Sequence, residues 1–296
     1  MTNPTDTNAE ATPLGLIAGA GDFPWLVARG AKRAGCRLVV VGLRSLADPG
    51  LREPADAFYW AGLARMGRWI RLFRREGVHR AILAGTVRKT DMLSPLLPLR
   101  FLPDWTTIKL WYFSLSDRRN DTVLRAVGEV MHHRGVTLVD STQYCPEAMA
   151  DVGAMTRTPP TAAQQRDADL GWHVAKQMGR LDVGQSVAVK DGDVIAVEAI
   201  EGTDRMIARA GELCRKGRFV VVKVAKPDQD MRFDVPTIGP ETVKGLHAAG
   251  GSCLVVEAER TLIVKRDETL ALADRFGIAI VGRKDSDDPP ATGSSV

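Results

Sequence analysis

A short apolar run that ends in a glycine turn constrains the fold of this chain most strongly. Residues 14–18 are apolar, and they lead directly into Gly19-Ala20-Gly21 and then into a helical pattern through Trp25. A second apolar run follows at residues 38–41. Strand, glycine turn, helix and strand in this order are typical of a parallel sheet, because parallel neighbours need a crossover connection between them. The sequence therefore predicts an α/β protein.

The same alternation continues through the first half of the chain. A helix is predicted around residues 66–75, a strand at 81–84 before Gly85-Thr86, a long helix at 119–133 and a strand at 136–139. We predict a Rossmann-like, doubly wound domain over residues 14–150. Small residues and Pro159-Pro160 at residues 151–160 indicate a linker.

The second half predicts another α/β domain, over residues 160–283. A helix is expected at 162–178, and alternating strands at 186–190 and 194–197 flank Asp191-Gly192, a strong hairpin signal. Further strands are predicted at 219–224, 253–256, 262–264 and 278–281, with helices between them. Residues 1–13 and 284–296 are polar, and we expect flexible tails there.

Composition excludes several classes of protein. Of 296 residues 45% are hydrophobic and 26% charged, which excludes wholesale disorder. The formal charge of +4 is not gathered into one basic tail, so no nucleic acid partner is expected. The four cysteines are scattered and form no CxxC pair, which favours a reducing, cytoplasmic setting. No apolar stretch of about 18 residues is present, so we expect no transmembrane helix.

The glycine turn is a candidate phosphate contact. Backbone N–H groups between a strand and a helix can hold a phosphate. The dinucleotide fingerprint G-x-G-x-x-G fails, because Pro24 stands at the third glycine position. The alternative is a tight turn in which Asp22 caps the helix. A nucleotide bound without the usual signature stays open.

The polar loop at residues 226–239 is the most informative segment. It carries three carboxylates, two cations and a glutamine within nine residues, directly after a strand. In an extended chain Asp230, Arg232 and Asp234 would share one face, because the side-chain period is two. Carboxylates beside cations suit Mg²⁺ or Mn²⁺ next to a phosphoryl group. The alternative is a solvated surface loop with internal ion pairs.

A second polar cluster occupies residues 198–204, between the hairpin and a helix. Thr203 or Asp204 could cap that helix. Glu198 stands on an otherwise apolar strand, where a carboxylate needs water or a partner. Capping explains Glu201 less well than Asp204, so a functional role for this cluster stays open.

Two segments suggest contact with lipid. Residues 92–115 are rich in leucine and aromatic residues, but their prolines and charges exclude a spanning helix. This segment could line an acyl-chain pocket, dock on a membrane or form a dimer face, or it could be a buried loop and core helix. Arginines also recur at helical spacing between Arg65 and Arg75. They could contact anionic headgroups or form an ordinary solvated helix face.

Three motifs in the same order resemble one enzyme family. The glycine turn reads LGLIAGxGxFP at 14–24, the second cluster EAxEGTD at 198–204 and the loop KPxQDxRxDxPxIG at 226–239. Residues 81–88 and 261–282 fit as well, so the resemblance covers nearly the whole globular region. The family is the UDP-2,3-diacylglucosamine pyrophosphatase of lipid A biosynthesis, in the form unrelated to calcineurin-like phosphoesterases.

The resemblance implies a reaction and an assembly. Family members hydrolyse the pyrophosphate of UDP-2,3-diacylglucosamine with a divalent metal, Mg²⁺ or Mn²⁺, through water attack at the α-phosphorus. The products are UMP and 2,3-diacylglucosamine 1-phosphate. The resemblance also implies a homodimer and a substrate site between the two domains. We expect a cytoplasmic protein with weak peripheral contact to the inner membrane.

Roles for individual residues combine the resemblance with the chemistry of the motifs. The expected catalytic residues are Lys226, Gln229, Asp230, Arg232 and Asp234. Lys226 and Arg232 would bind the pyrophosphate, Gln229 would orient the nucleophile, and Asp230 and Asp234 would hold the metal or activate water. Glu201 and Asp204 are further metal-ligand candidates. The expected substrate-binding residues are Gly19, Ala20, Gly21, Asp22, Phe23, Thr86, Val87, Lys89 and Thr203.

Two other classes of function remain open at this stage. One is a different nucleotide-sugar enzyme, such as a transferase or an oxidoreductase. The other is a non-catalytic carrier of lipid or nucleotide-lipid, which would not need the carboxylate-rich loop.

Overall fold

A computed structural model describes residues 13–86, 103–109, 120–227 and 229–284, with the side chains of 120–122 left out. The chain divides into two compact units. The first contains the residues up to Cys145 together with Met231–Phe233. The second contains Pro146–Asp230 and the chain from Asp234 onwards. The loop of residues 226–239 therefore contributes to both units.

The described part of the first unit contains one parallel sheet with helices between its strands. Its elements in chain order are β1 (Pro13–Ala18), α1 (Phe23–Arg33), β2 (Arg37–Leu43), a 3₁₀ helix (Pro49–Arg52), β3 (Ala57–Ala61), α2 (Met66–Arg75), β4 (Arg80–Ala84), α3 (Trp105–Lys109), α4 (Asn120–His133) and β5 (Thr137–Leu138). The strands are ordered β3-β2-β1-β4-β5, and every pairing is parallel. The predicted α/β fold is confirmed.

Strand β1 lies at the centre of this sheet and is covered on both faces. Leu14 and Leu16 pack in one cluster with Val27 of α1. Ile17 packs in another with Phe73 of α2. Burial on both faces explains why β1 is a continuous apolar run rather than an alternating one.

Helix α2 uses its whole apolar face for the core. Trp69, Ile70 and Phe73 are buried, and Arg68 and Arg71 are exposed between them. The helix therefore presents only charge to solvent, and a membrane contact through it would be electrostatic.

The second unit is a mixed sheet with helices on both sides. Its elements are a 3₁₀ helix (Pro146–Ala148), β6 (Gly153–Ala154), α5 (Ala162–Arg180), β7 (Ser186–Lys190), β8 (Asp193–Val197), α6 (Thr203–Leu213), β9 (Val220–Lys223), β10 (Thr237–Ile238), α7 (Pro240–Ala248), β11 (Cys253–Glu257), β12 (Leu262–Ile263), α8 (Arg266–Phe276) and β13 (Ala279–Arg283). The six-stranded order is β6-β13-β11-β9-β7-β8, and β10 pairs separately with β12.

Strands of both directions meet in this sheet. β9, β11 and β13 are parallel neighbours, and β7 is antiparallel to both β8 and β9. The hairpin at Asp191-Gly192 is confirmed, with φ of 52° and 84°, as a tight turn between twisted strands requires. On one face, Trp172 and Ala175 of α5 pack with valines of β7 and β9.

Some predictions fall outside the described residues. The apolar segment 92–115 is described only at 103–109, where α3 forms and Trp105 is 74% exposed. Both predicted tails fall almost entirely outside as well. Among the described helices, none is long and apolar enough to cross a bilayer.

A charged hydrogen-bond network joins the C-terminal end of α2 to strands β2 and β3 of the first unit. The Glu76 carboxylate, at the end of α2, accepts a hydrogen bond from the Tyr59 hydroxyl at 2.5 Å and another from Arg37 Nη2 at 2.6 Å. Both hydrogen bonds lower the pKa of Glu76, and the bond from Tyr59 has the larger effect. Since the folded pKa is depressed, the stabilisation is present above the ordinary pKa of glutamate and is lost as the pH falls through the folded value.

We predict that Glu76→Gln lowers the free energy of unfolding by about 1–3 kcal/mol at pH 7, the range for hydrogen bonds to charged groups. The difference from wild type should shrink as the pH falls below the ordinary pKa of glutamate and through the lowered pKa of folded Glu76, because the wild-type carboxyl group then becomes neutral, as glutamine is. Urea unfolding at several pH values measures it. Glu129→Gln, at an exposed position of α4, is the matched control and should change little. A pH-independent loss in Glu76→Gln would contradict the assignment.

Candidate functional site

The glycine turn lies at the switch point of the first sheet. β1 pairs with β2 on one side and with β4 on the other, so the chain reverses its direction of sheet growth between β1 and β4. Gly19–Gly21 follow β1, and Gly85-Thr86 follow β4. Ligands of open α/β sheets bind beyond the carboxyl ends of the strands at such a point.

The two turns are joined to each other through their backbones. The Ala20 N–H donates to the Thr86 carbonyl at 3.2 Å, and the Thr86 N–H donates to the Ala20 carbonyl at 2.9 Å. Gly19 N–H donates to the Ala84 carbonyl at 2.8 Å. A Cβ at Gly85, where φ is 99°, would meet the Ala20 oxygen at 2.7 Å, so the close approach requires glycine.

These pairs engage the amides of Gly19, Ala20 and Thr86. A phosphate would therefore be bound by the backbone N–H groups at the start of α1, those of Gly21, Asp22 and Phe23. Asp22 occupies the N-cap position, but its side chain makes no capping hydrogen bond. Val87 and Lys89, the other predicted contacts on this side, lie outside the described residues.

In the second unit, the carboxyl edge of β9 gathers the polar residues of both other motifs. Lys223 ends β9, and Ser186 at the start of β7 is its register partner. Glu198 follows the end of β8, and Thr203 begins α6. Because β7 is antiparallel to both β8 and β9, its first residue and their last residues share one edge.

Three of these side chains form a connected network. The Thr203 hydroxyl donates to Glu198 Oε1 at 3.3 Å and lies 3.2 Å from the Ser186 hydroxyl. The Glu198 N–H donates to the Ser186 carbonyl at 2.8 Å. Glu198 Oε2 is buried, and nothing in the described part of the chain donates a hydrogen bond to it. An unsatisfied buried carboxylate oxygen is costly and marks a place where a further cation or donor would bind.

Lys223 is the functional candidate that sequence reasoning missed. It is buried, and its Nζ donates to the Thr237 carbonyl at 2.9 Å. Burial lowers the pKa of its ammonium, and the carboxylates of Glu198, Asp204 and Asp234 oppose that shift. The 198–204 cluster and the 226–239 loop therefore act on one buried cation. The signal in the sequence is a lysine within an otherwise apolar run at residues 219–225.

The loop is turned, not extended, between Asp230 and Asp234. The Asp234 N–H donates to the Asp230 carbonyl at 3.2 Å, which closes a turn over Met231–Phe233. Asp230, Arg232 and Asp234 therefore do not lie along one face of an extended chain. A four-residue spacing across a turn brings the backbones of Asp230 and Asp234 together instead.

The residues of this turn belong to the first unit. The Ser141 hydroxyl donates to the Met231 carbonyl at 2.7 Å. Phe233 packs against the hydrophobic cluster that contains Ala126, and a Cβ at Gly128 would meet the Phe233 ring at 2.9 Å. Packing of Phe233 explains why the chain turns here.

The other predicted loop residues have different surroundings. Gln229 is buried; its Oε1 accepts from the Lys226 N–H at 2.8 Å, and its Nε2 has no hydrogen-bond acceptor among the described residues. Lys226 Nζ forms an ion pair with Asp182 at 2.5 Å. The Arg232 guanidinium lies 5.0 Å from the centre of the Phe233 ring and is exposed. Gln229 thus offers a buried N–H donor that no described residue satisfies.

Glu201 is committed to an ion pair. Its Oε1 lies 2.6 Å from Arg209 Nη2, and its Oε2 accepts from the Ala199 N–H at 3.2 Å. The hydrogen bond from Arg209 is the main cause of its lowered pKa. Asp204 is exposed in the first turn of α6, and Gly202 with φ of 85° occupies the N-cap position. The alternative that Thr203 or Asp204 caps this helix is wrong.

A buried ion pair holds the start of the loop. Glu257, at the end of β11, accepts from Lys176 Nζ and from the Ala225 N–H, both at 2.8 Å on Oε2. Both side chains are buried. Breaking such a pair from one side is strongly destabilising, so this contact fixes the backbone directly before Lys226.

The described residues contain no group of three or more histidine, cysteine, aspartate or glutamate side chains placed to hold a metal ion. Asp230, Asp234, Glu201 and Asp204 are therefore not a preformed ligand set. The residues still fit Mg²⁺, because Mg²⁺ commonly binds one or two carboxylates and takes its other ligands from substrate phosphates and water. The buried Glu198 oxygen adds an acceptor that the sequence prediction did not include.

Fold and site define a protein of two α/β units with a switch-point glycine turn in one and a buried carboxylate–lysine edge in the other. A family model described as the LpxI N-terminal domain matches residues 13–148, and one described as the LpxI C-terminal domain matches residues 151–281. The chain belongs to the LpxI family. It is 35% identical over 282 residues to a Caulobacter vibrioides protein named UDP-2,3-diacylglucosamine pyrophosphatase LpxI, covering 91% of this chain and 96% of that protein.

One solved structure is also similar, at a level that carries no argument. The biotin carboxylase domain of Hydrogenobacter thermophilus 2-oxoglutarate carboxylase matches 70% of this chain and 42% of its own, at 15% identity and a TM-score of 0.23.

Proposed function

We propose that this chain hydrolyses the pyrophosphate bond of UDP-2,3-diacylglucosamine to UMP and 2,3-diacylglucosamine 1-phosphate, in lipid A biosynthesis. The observation that carries the proposal is the 35% identity, over almost the full length of both chains, to a protein that bears this activity in its name. Both family models point the same way. The predicted family resemblance is thereby confirmed.

The polar edge of the second unit suits chemistry on a pyrophosphate. Water attacks the α-phosphorus, and UMP carries the new oxygen. Gln229 Nε2 is a buried donor that can bind the attacking water or a phosphoryl oxygen. Asp234 or Asp230 accepts the proton of that water or holds the metal. The uridine side of the substrate is assigned to the glycine turn of the first unit.

The proposal includes a divalent cation, Mg²⁺ or Mn²⁺, held by Asp230 and Asp234 together with the substrate phosphates. When bound, such an ion polarises the phosphoryl oxygens and lowers the pKa of a bound water. Glu201 is a weaker candidate ligand than the sequence indicated, because Arg209 already holds it.

Assembly and location are proposals as well. Homodimerisation rests on the family resemblance, and the cytoplasmic, membrane-peripheral setting rests on the lipid substrate and on the surface charge of α2. A cavity of about 700 Å³ lies near the C-terminal end of α2, and two arginines in its lining extend the positive charge of this surface. It is lined by Arg74, His79, His133, Arg134 and Gly135.

We predict that incubation with UDP-2,3-diacylglucosamine and Mg²⁺ in ¹⁸O-water releases UMP that carries the label, because water attacks the α-phosphorus. Mass spectrometry of both products measures it, and a reaction with EDTA is the control for the metal. Label in the lipid phosphate would contradict attack at the α-phosphorus. Failure to release UMP would favour the carrier or another nucleotide-sugar enzyme.

We predict that Asp230→Ala and Asp234→Ala each lower kcat at least about 100-fold, because a positioned base or metal ligand is lost. Thermal unfolding should change little, since neither side chain lies in a hydrophobic core. Substrate binding should survive better than turnover.

Two carboxylates serve as controls for these variants. Asp193→Ala changes an exposed carboxylate at the start of β8, at the opposite edge of the same sheet. Asp228→Ala changes the loop carboxylate outside the family motif. Both should stay close to wild type. If Asp230→Ala and Asp234→Ala also stay within about threefold, the loop is an ordinary surface feature.

We predict that Arg68→Glu/Arg71→Glu weakens binding to anionic vesicles, because each near-surface cation contributes about 1 kcal/mol there. Binding should fall with added salt, since the apolar face of α2 is buried and only charge is available. Sedimentation with phosphatidylglycerol vesicles measures it, and neutral phosphatidylcholine vesicles are the control. Unchanged binding would make these arginines an ordinary solvated face.

A further inference from the structure

Lys223 lies in a buried position, where a charged side chain lowers the stability of the fold unless its charge is compensated. It is 7% exposed and ends a strand whose other residues are buried valines. A buried ammonium costs several kcal/mol unless carboxylates and hydrogen bonds offset its lost hydration. A methionine of similar length would fill the same space without that cost, so packing alone does not account for the charge.

The hydrogen bond of Lys223 ties together the two ends of the 226–239 loop. Its Nζ donates to the carbonyl of Thr237, the residue at which the 226–239 loop rejoins regular structure as β10. The loop also begins three residues after Lys223 along the chain. One side chain therefore joins the strand from which the loop departs to the strand into which it returns.

The charges around this ammonium are those of the proposed hydrolytic site. Glu198, Asp204 and Asp234 are the carboxylates that favour its charged form. Glu198 also carries the buried oxygen that no described donor satisfies. Without a cation among them, these carboxylates would repel each other and any approaching pyrophosphate.

We propose that Lys223 is a positioning residue of the hydrolytic site, which holds the carboxylates of Glu198 and Asp234 and the loop end at Thr237 in their working arrangement. This inference rests on the proposed hydrolysis. It assigns a role to a residue outside the three sequence motifs. It also makes Glu198, rather than Glu201, the carboxylate of the 198–204 cluster that belongs to the hydrolytic site.

The test separates positioning from mere charge balance. Lys223→Met removes the ammonium and keeps the length of the side chain. Because small displacements of reacting groups cost about 100-fold in rate, kcat should fall by about that factor, with KM within about threefold. Lys223→Arg, which keeps the charge, should regain at least about tenfold over Lys223→Met. Lys190→Met, at the far end of β7, is the control and should match wild type.

The decisive variant is Lys223→Met/Glu198→Gln. Removing the carboxylate relieves the buried charge that Lys223→Met leaves behind, so the thermal midpoint should return toward wild type. Turnover should stay at least about tenfold below that of Glu198→Gln alone, because the loop end and Asp234 still lack their cation. Recovery of kcat together with the midpoint would reduce Lys223 to a structural counter-ion and overturn the proposal.

The same assay distinguishes this inference from the proposed function. Wild type that releases UMP, beside a folded Lys223→Met variant at the wild-type rate, overturns the role of Lys223 alone. Wild type that releases no UMP overturns the proposed function, and the role of Lys223 with it.

Discussion

The buried ammonium of Lys223 is the interaction on which the polar edge of the second unit depends. Burial lowers the pKa of this ammonium, and three carboxylates and a hydrogen bond to one carbonyl at 2.9 Å offset part of its lost hydration. The dependence is mutual, since Glu198 is buried too and would be equally costly without a nearby cation. Sheet topology makes the meeting possible: antiparallel β7 brings the ends of β8 and β9 to the same edge, so residues 25 positions apart share one environment.

Most of the fold follows from the sequence because most elements bury apolar residues in a regular pattern. The central strands are continuous apolar runs, and the hairpin has turn residues that tolerate positive φ. β3 escaped prediction: its aromatic residues are half-buried at the sheet edge, and a short apolar run alone does not distinguish strand from helix. β6 and β10 are two residues long, and each pairs with a strand that is distant in the chain. No local pattern specifies these two strands, whereas the apolar run at residues 262–264 predicts β12.

The candidate site was predictable as motifs but not as an arrangement. Sequence identified the cluster at 198–204 and the loop at 226–239, yet it could not tell which carboxylate of the cluster faces inward. Arg209, in the middle of α6, forms an ion pair with Glu201, whereas Glu198 accepts a hydrogen bond from Thr203. Likewise, Lys226 forms an ion pair with Asp182. Such pairings depend on where other elements place their side chains, which spacing along the chain does not contain.

The turn at residues 230–234 shows why the loop could not be read as an extended chain. An extended reading maximises the distance between Asp230 and Asp234, whereas Phe233 must reach the apolar cluster beside Gly128. Removing part of the Phe233 ring from water stabilises the turned conformation. The hydrogen bond from Asp234 N–H to the Asp230 carbonyl then closes the turn. The positions of the Asp230 and Asp234 backbones thus depend on an apolar residue between them, because Phe233 anchors the turn in the first unit.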